Sequence, residues 1–419
     1  MVLTLLGLAY KQRRVALMLA YVGWEFDGFC AQNNVKNTVE AVLFRALMKT
    51  KLVESREKAD FHICGRTDKF VSALRQVVSL NVRSALNEEF GVSPRNEVKE
   101  CSFSPSLKEL DYPSILNACL PQSVKVIAWA PVSPQFSARF CCKGRTYKYF
   151  FPKGNLNIQA MDIASRHLVG SHDFRNFCKI DSGSNVVQHC VRTVRTARVY
   201  CLVPSELQNA KSMCCFEVSA NAFLRHQIRC IVAVLFAVGQ SNESPSVRPK
   251  PIICQLLDVK EHPAKPNYCM ATGEPLILCN TNFDNLEWQW NHKVLNEVRS
   301  RLQTHWIEHA IKSRVIEEML EQLNEFDDPG DESALVSDIA SFHLNILAMD
   351  TVSTLVPSSS CKSYRPLASR PTERTASLVL FFFCYFNACF VASLETKQAK
   401  SKIRTKRSRA ICEDVQREQ

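Results

Sequence analysis

Among the nineteen cysteines of this 419-residue chain no two stand in a C-x-x-C pair, so a zinc site built on paired cysteines is disfavoured. Their number is odd and they are scattered, with two adjacent pairs, Cys141/Cys142 and Cys214/Cys215. A secreted disulfide framework is far shorter and more regular. Reduced, mostly buried thiols in a nuclear or cytosolic protein fit best. The apolar start, Met1 to Leu6, has no basic segment before it and no small-residue cleavage site, so it does not read as a signal peptide. No repeat at a solenoid period is visible. A metal-dependent nuclease would need clustered carboxylates or histidines, and the ten histidines are dispersed.

What the chain does have is an ordinary apolar content, 46%, which excludes wholesale disorder and suffices for at least one sizeable core. Lysine and arginine outnumber the acids 52 to 41, a net +11, which favours a polyanionic partner. Seven of those charges (Lys397, Lys400, Lys402, Arg404, Lys406, Arg407 and Arg409) form one run without an intervening acid; without them the excess falls to +4. The body is mildly basic and the tail strongly so.

Hydrophobic periodicity gives the organisation. Val15 to Tyr21 reads as a buried strand, and Asn37 with Glu40 three residues on as a helix start. Val39, Leu43, Ala46 and Leu47 give that helix its apolar face. Phe61 to Cys64, Gln76 to Val82, Val124 to Ala130, Arg145 to Phe151, Thr193 to Leu202 and Cys214 to Ala220 read as strands. Asn157 to Val169 is predicted helical and stops at Gly170. Leu224 to Val238 is a nearly all-apolar, hence buried, helix, and His292 to Leu323 carries long helical periodicity. Strands and helices alternate irregularly with hairpin-like pairs, which predicts an α+β fold with a mixed, mainly antiparallel sheet covered by helices. Beyond Asn324 an acidic Gly/Pro stretch, a Ser-rich stretch, an apolar run and the basic segment follow, so the folded body is expected to end near residue 325.

Chemistry centres on Gly65-Arg66-Thr67-Asp68-Lys69, a polar segment between two apolar strands. A carboxylate fixed there beside cationic neighbours is available as a nucleophile or as an electrostatic partner for a cationic sugar, although charged inter-strand loops are commonly just solvated. The longer stretch Gly65 to Ala73 closely resembles the G-R-T-D-K-G-V-S-A signature of TruA-type tRNA pseudouridine synthases. Ala20 to Phe29 (AYVGWEFDGF) looks like that family's first strand and turn, and Thr38-Val39-Glu40 like its helix opening. Phe136-Ser137-Ala138-Arg139-Phe140 followed by Arg145-Thr146-Tyr147-Lys148-Tyr149 is similar to its F-x-A-R-F…R-x-Y-x-Y block. Gly170 to Phe177 resembles its G-x-H-D-F turn, Asn221 to Arg229 its A-F-L-x-H-Q-V-R helix start, and Ala271 to Leu278 its final strand. These blocks run in family order over residues 15 to 325, and their wording is closest to the eukaryotic branch that modifies positions 38 and 39 of the tRNA anticodon stem.

The resemblance implies two similar α/β halves, 15–130 with the nucleophile loop and 131–325, around an RNA-binding cleft. An extension (1–14) precedes them and a low-order tail (326–419) follows. It implies isomerisation of uridine to pseudouridine without metal or organic cofactor, on tRNA as partner; dimers are common in the family, and the sequence leaves the oligomeric state open. Asp68 would be the covalent catalyst and Arg229 the arginine that pairs with it. Tyr147 would stack on the target base and help move a proton, whereas Tyr149 and Phe151 on the same strand face read as core. Arg66 and Lys69 would contact phosphates or hold the flipped nucleotide. Arg225 and His226 are expected at phosphate or solvent, His226 as a substrate contact. Two departures stand beside Asp68: Phe70 and Arg75 replace family glycines, and glycine at such places means positive φ or close backbone approach. They motivate the alternative of a catalytically impaired tRNA-binding homologue. Val247 to Cys254 reads as a surface insertion. The uncharged run 376–392 is at the lower edge for spanning a bilayer, but membrane attachment is not expected. The basic segment 397–409 suits nuclear import, RNA contact or plain solvation, and the protein is placed in nucleus, cytoplasm or both.

Overall fold

A computed structural model describes residues 11–32, 35–86, 89–93, 108–179, 189–243, 250–323, 351–356 and 364–372. Its strands are β1 Gln12–Tyr21, β2 His62–Ile63, β3 Ser72–Arg83, β4 Val92–Ser93, β5 Val124–Pro131, β6 Gly144–Pro152, β7 Gly170–Asp173, β8 Val191–Cys201, β9 Met213–Ala220, β10 Leu276–Asn282 and β11 Gln289–Trp290. They form one sheet in the order β11-β5-β1-β3-β10-β6-β9-β8-β7, with β2 also on β3 and β4 also on β1. Every pairing is antiparallel except β3 with β10. That parallel seam has two residue pairs, Ile277 with Ser72 and Leu278 with Ala73. The mixed, mainly antiparallel sheet of an α+β fold is therefore present.

The helices are α1 Val39–Lys49, α2 Tyr112–Asn117, α3 Ile158–Arg166, α4 Gln227–Gly239, α5 Ile252–Leu257, α6 His292–Leu323 and α7 Thr351–Leu355. Side chains alternate across a strand, and β1 is buried on both faces. Val15, Leu17, Leu19 and Tyr21 enter the larger core, which includes residues of α1 to α5. Ala16, Met18 and Ala20 enter a smaller cluster with Ile127 and Ala138, against which Leu295 and Val298 of α6 pack. This is why Val15 to Tyr21 is apolar without a break. The predicted face of α1 (Val39, Leu43, Ala46 and Leu47) is buried as expected.

Two helix starts differ from expectation. The cap of α1 is Thr38, whose hydroxyl accepts from Ala41 N, while Asn37 turns back to the Glu25 carbonyl. Glu40 is not half of a capping box; it accepts from Ala31 N and pairs with Arg56. α4 begins at Gln227 rather than Leu224, because His226 is in the left-handed region at φ +61° and the Gln227 side chain accepts from Leu224 N. α6 covers the predicted range, but Val294 is its one fully buried residue.

The body also gathers residues from beyond 325. Leu355 O accepts from Thr272 N at 2.7 Å, Pro371 O from Asn267 N at 2.8 Å, and Leu367 is 3% exposed in the larger core. The runs 376–392 and 397–409 lie outside the described residues, as do 247–249 of the expected insertion, whose remainder opens α5. Among the described residues no helix is long and apolar enough to cross a membrane.

Candidate active site

The loop from Cys64 to Val71 joins β2 to β3 and is pinned at nearly every residue. Cys64 N donates to Val77 O, and the Gln76 amide donates to Gly65 O. Thr67 Oγ1 lies 2.8 Å from Tyr21 Oη, and its carbonyl accepts from Phe29 N. Val71 N returns to Asp68 O. The turn of Gly28 presses directly on this loop: it has φ +101°, and a Cβ there would lie 3.1 Å from Thr67 O. Backbone packed this closely leaves the Asp68 carboxylate little freedom.

Asp68 is half-buried and sits between two groups from the start of α4. Arg229 Nη1 is 3.6 Å from Oδ2, and His226 Nε2 is 3.7 Å from Oδ1. Arg229 is itself locked, since its Nε donates to Ala271 O at 2.6 Å and its carbonyl accepts from Ala271 N. His226 therefore faces the carboxylate; Arg225, its neighbour, is exposed. Burial, followed by the charges of Arg229, Arg225 and Lys179, lowers the His226 pKa against the opposing pull of Asp68. The imidazole Nδ1 is buried without a hydrogen-bond partner.

Tyr147 on β6 is 6% exposed, with its ring edge-on to Phe223 at 5.3 Å. Its hydroxyl reaches the Gly65 side of the loop, 3.6 Å from where a Cβ on Gly65 would stand. Burial, with the nearby Tyr21, Cys64 and Asp68 adding to it, pushes its pKa far up, so the phenol keeps its proton. Tyr149 and Phe151, two and four residues on, are fully buried as the core reading expected.

Arg66 and Lys69 project from the loop and are exposed. Lys69 Nζ pairs with Asp27 at 2.7 Å and lies 4.6 Å above the Phe70 ring centre. Phe70 takes φ +69°, the left-handed region expected of the glycine it replaces, at a cost of about 1–2 kcal/mol for a residue with a Cβ. Arg75 carries no such strain; it is exposed on β3, donates to Asn280 Oδ1, and its carbonyl accepts from Thr281 Oγ1.

Arg145 is the site residue that sequence reasoning passed over. It is 8% exposed and donates from Nε and Nη2 to Cys64 O, from Nη1 to Asn221 O and from Nη2 to Arg139 O. One guanidinium thus ties the start of the Asp68 loop to the turn leading into α4. A signal was present: in an alternating strand, 145 shares the face of Tyr147, Tyr149 and Phe151, and a charge on a buried face must be paired.

A family model described as tRNA pseudouridine synthase matches residues 164–284, which include His226 and Arg229. The chain is 40% identical over 378 residues to the tRNA pseudouridine(38/39) synthase of Mus musculus, covering 87% of this chain and 75% of that protein. Identity to the protein of the same name from Saccharomyces cerevisiae is 39% over 285 residues, 67% and 60% of the two chains. The tRNA pseudouridine synthase A of Methanosarcina acetivorans is 31% identical over 310 residues, 73% of this chain and 98% of its own. With an α+β sheet of the expected order of motifs and relatives of this identity and coverage, the chain belongs to the tRNA pseudouridine synthase family.

Proposed function

We propose that the chain isomerises uridine to pseudouridine at positions 38 and 39 of the tRNA anticodon stem-loop, with Asp68 as the nucleophile. The observation that carries this reading is the placement of Asp68, with each carboxylate oxygen faced by a different residue from the start of α4. The relatives named for positions 38 and 39 support the choice of nucleotides.

Breaking the N1–C1′ bond builds positive charge on the ribose, and a carboxylate held nearby can bond to C1′. Arg229, locked through Ala271 O, orients that carboxylate. The base must first leave its stack, at a cost of a few kcal/mol. Exposed Arg66, and Lys69 on release from Asp27, would offset part of this at the phosphates. Tyr147, buried beside the loop, forms a wall against which the flipped uracil can rest. On this reading the RNA-binding cleft lies between the halves 15–130 and 131–325. The reading includes action in nucleus or cytoplasm and a homodimer, for which the exposed Trp306, Ile311, Val315 and Met319 of α6 offer an apolar surface.

The strain at Phe70 does not favour the impaired-homologue alternative, because Asp68, His226 and Arg229 remain together despite it. The test is to incubate the purified chain with unmodified tRNA and map pseudouridine. The chain should modify 38 and 39, and Asp68→Ala should abolish the product. Binding of tRNA without product by the natural chain, or product from Asp68→Ala, overturns the proposal.

A further inference from the structure

We infer that His226 is the general base of the second half of the reaction: its Nε2 removes the hydrogen from C5 of the uracil once C5 has joined C1′. The inference rests on Asp68 as the group bonded to C1′.

The geometry is set by what must meet at the sugar. In the step that forms the product, C5 bonds to C1′ as the C1′–O bond to Asp68 breaks, and that electron pair returns to the carboxylate. C5 then carries both the sugar and its own hydrogen, directly beside the released carboxylate. A base that takes this proton must lie within about one contact distance of Asp68. His226 Nε2 does, at 3.7 Å from Oδ1. When Nε2 accepts the proton, the C5–H electron pair re-forms the C5=C6 bond and the C6=N1 π pair, placed there when C5 attacked C1′, returns to N1. The proton then passes by way of solvent to N1, which left the sugar with the glycosidic pair. Nothing is oxidised or reduced, and imidazole and carboxylate end as they began.

Three features of the residue fit a proton acceptor. No hydrogen bond at Nδ1 fixes the tautomer, so neither ring nitrogen is committed as a donor. The ring is held inward by a backbone at φ +61°, a conformation kept at cost in a residue with a side chain. Its basicity also follows the reaction. Burial, Arg229, Arg225 and Lys179 oppose the imidazolium, and Asp68 favours it. While Asp68 is bonded to C1′ its charge is absent and the imidazole stays neutral. When C5–C1′ forms, the carboxylate charge returns 3.7 Å away, and His226 becomes a stronger base at the moment the proton must leave. Tyr147, the alternative by family resemblance, is a buried phenol that holds its proton and has little capacity to accept another.

The experiment uses the full chain and tRNA carrying uridine, 5-deuterouridine or 5-fluorouridine at the target position. Asparagine tolerates positive φ, so His226→Asn is the first variant, with His226→Gln beside it. Loss of a general base costs about 10²–10⁴-fold. Both variants should slow pseudouridine formation by that order and acquire a primary deuterium isotope effect. They should nevertheless consume 5-fluorouridine tRNA at a rate within a few-fold of wild type, because that carbon has no proton to lose. Tyr147→Phe should show no such isotope effect. The inference is overturned if His226→Asn and His226→Gln slow 5-fluorouridine as much as uridine, which would make His226 a positioning group for Asp68. It is also overturned if they turn uridine over normally, or if the isotope effect appears in Tyr147→Phe instead. Failure of the underlying nucleophile reading is seen separately, as consumption of 5-fluorouridine tRNA by Asp68→Ala.

Discussion

Phe70 shows how a departure from a motif is accommodated. Its backbone keeps the left-handed conformation of the missing glycine, φ +69°, while its ring lies under the Lys69 ammonium. Phe70→Gly relieves strain of about 1–2 kcal/mol and returns about 0.4–1 kcal/mol to chain entropy; Phe70→Ala keeps the strain and loses the ring. Denaturant unfolding should therefore rank glycine above alanine by roughly 1 kcal/mol, the reverse of the usual order. Arg145 is the opposite case, a side chain with no conformational demand but several carbonyls to satisfy. Arg145→Leu leaves Cys64 O short of donors in a buried place and removes the bond to Asn221 O, so a loss of about 1–3 kcal/mol is expected by the same measurement, with slower modification because the Asp68 loop loses its tie. Glu109 supplies a pH dependence. Burial alone would raise its pKa, but hydrogen bonds from Ala85 N, Arg13, Leu110 N and Ser84 outweigh it, and the net shift is downward from 4.5. A depressed carboxylate contributes stability above its unfolded value that is lost as pH falls through the folded one. Glu109→Gln should thus be less stable than wild type at pH 7, and the gap should close as the pH is lowered below about 4.5.

At the scale of elements, helices and strands with strong periodicity were legible from residue order, and their ends were not. The apolar run of β1, the buried face of α1 and the span of α6 follow from spacing that packing alone enforces. The ends of α1 and α4 depend on which polar side chain wins a particular N–H, and both Asn37 and Thr38 are capping residue types until the fold places Glu25 O beside the first of them. Thr38→Ala should accordingly cost about 1 kcal/mol, and Asn37→Ala less, by thermal unfolding. The same limit hid part of the site. Asp68, Arg229 and Tyr147 could be named because they stand in recognisable strings, whereas the inward turn of His226 is a consequence of one backbone dihedral at the head of α4, which spacing does not encode. Lys69, read as a phosphate contact, is paired with Asp27 because the Gly28 turn brings that acid alongside.

For the whole molecule, the boundary expected at residue 325 marks a change of composition, while the packed body includes α7 and the 364–372 segment. Composition does not reveal this return, since Val352, Leu355 and Leu367 are too few and too far apart for a periodic signal. Removing residues 351–419 uncovers Leu367's site in the core and frees Thr272 N, next to the Ala271 carbonyl that locks Arg229. The shortened chain should unfold at lower denaturant and modify tRNA more slowly, with tRNA affinity less affected than turnover.

The seam of β3 and β10 reaches furthest. It is a join of two residue pairs, Ile277 with Ser72 and Leu278 with Ala73, set between the strand that follows Asp68 and the segment whose carbonyl grips Arg229. A slip of one position there would shift the two banks by about 3.3 Å and point Leu278 to the wrong side of the sheet. The short join therefore works as a gauge block: the buried leucine permits one setting, and that setting carries through to the spacing of Asp68 and Arg229.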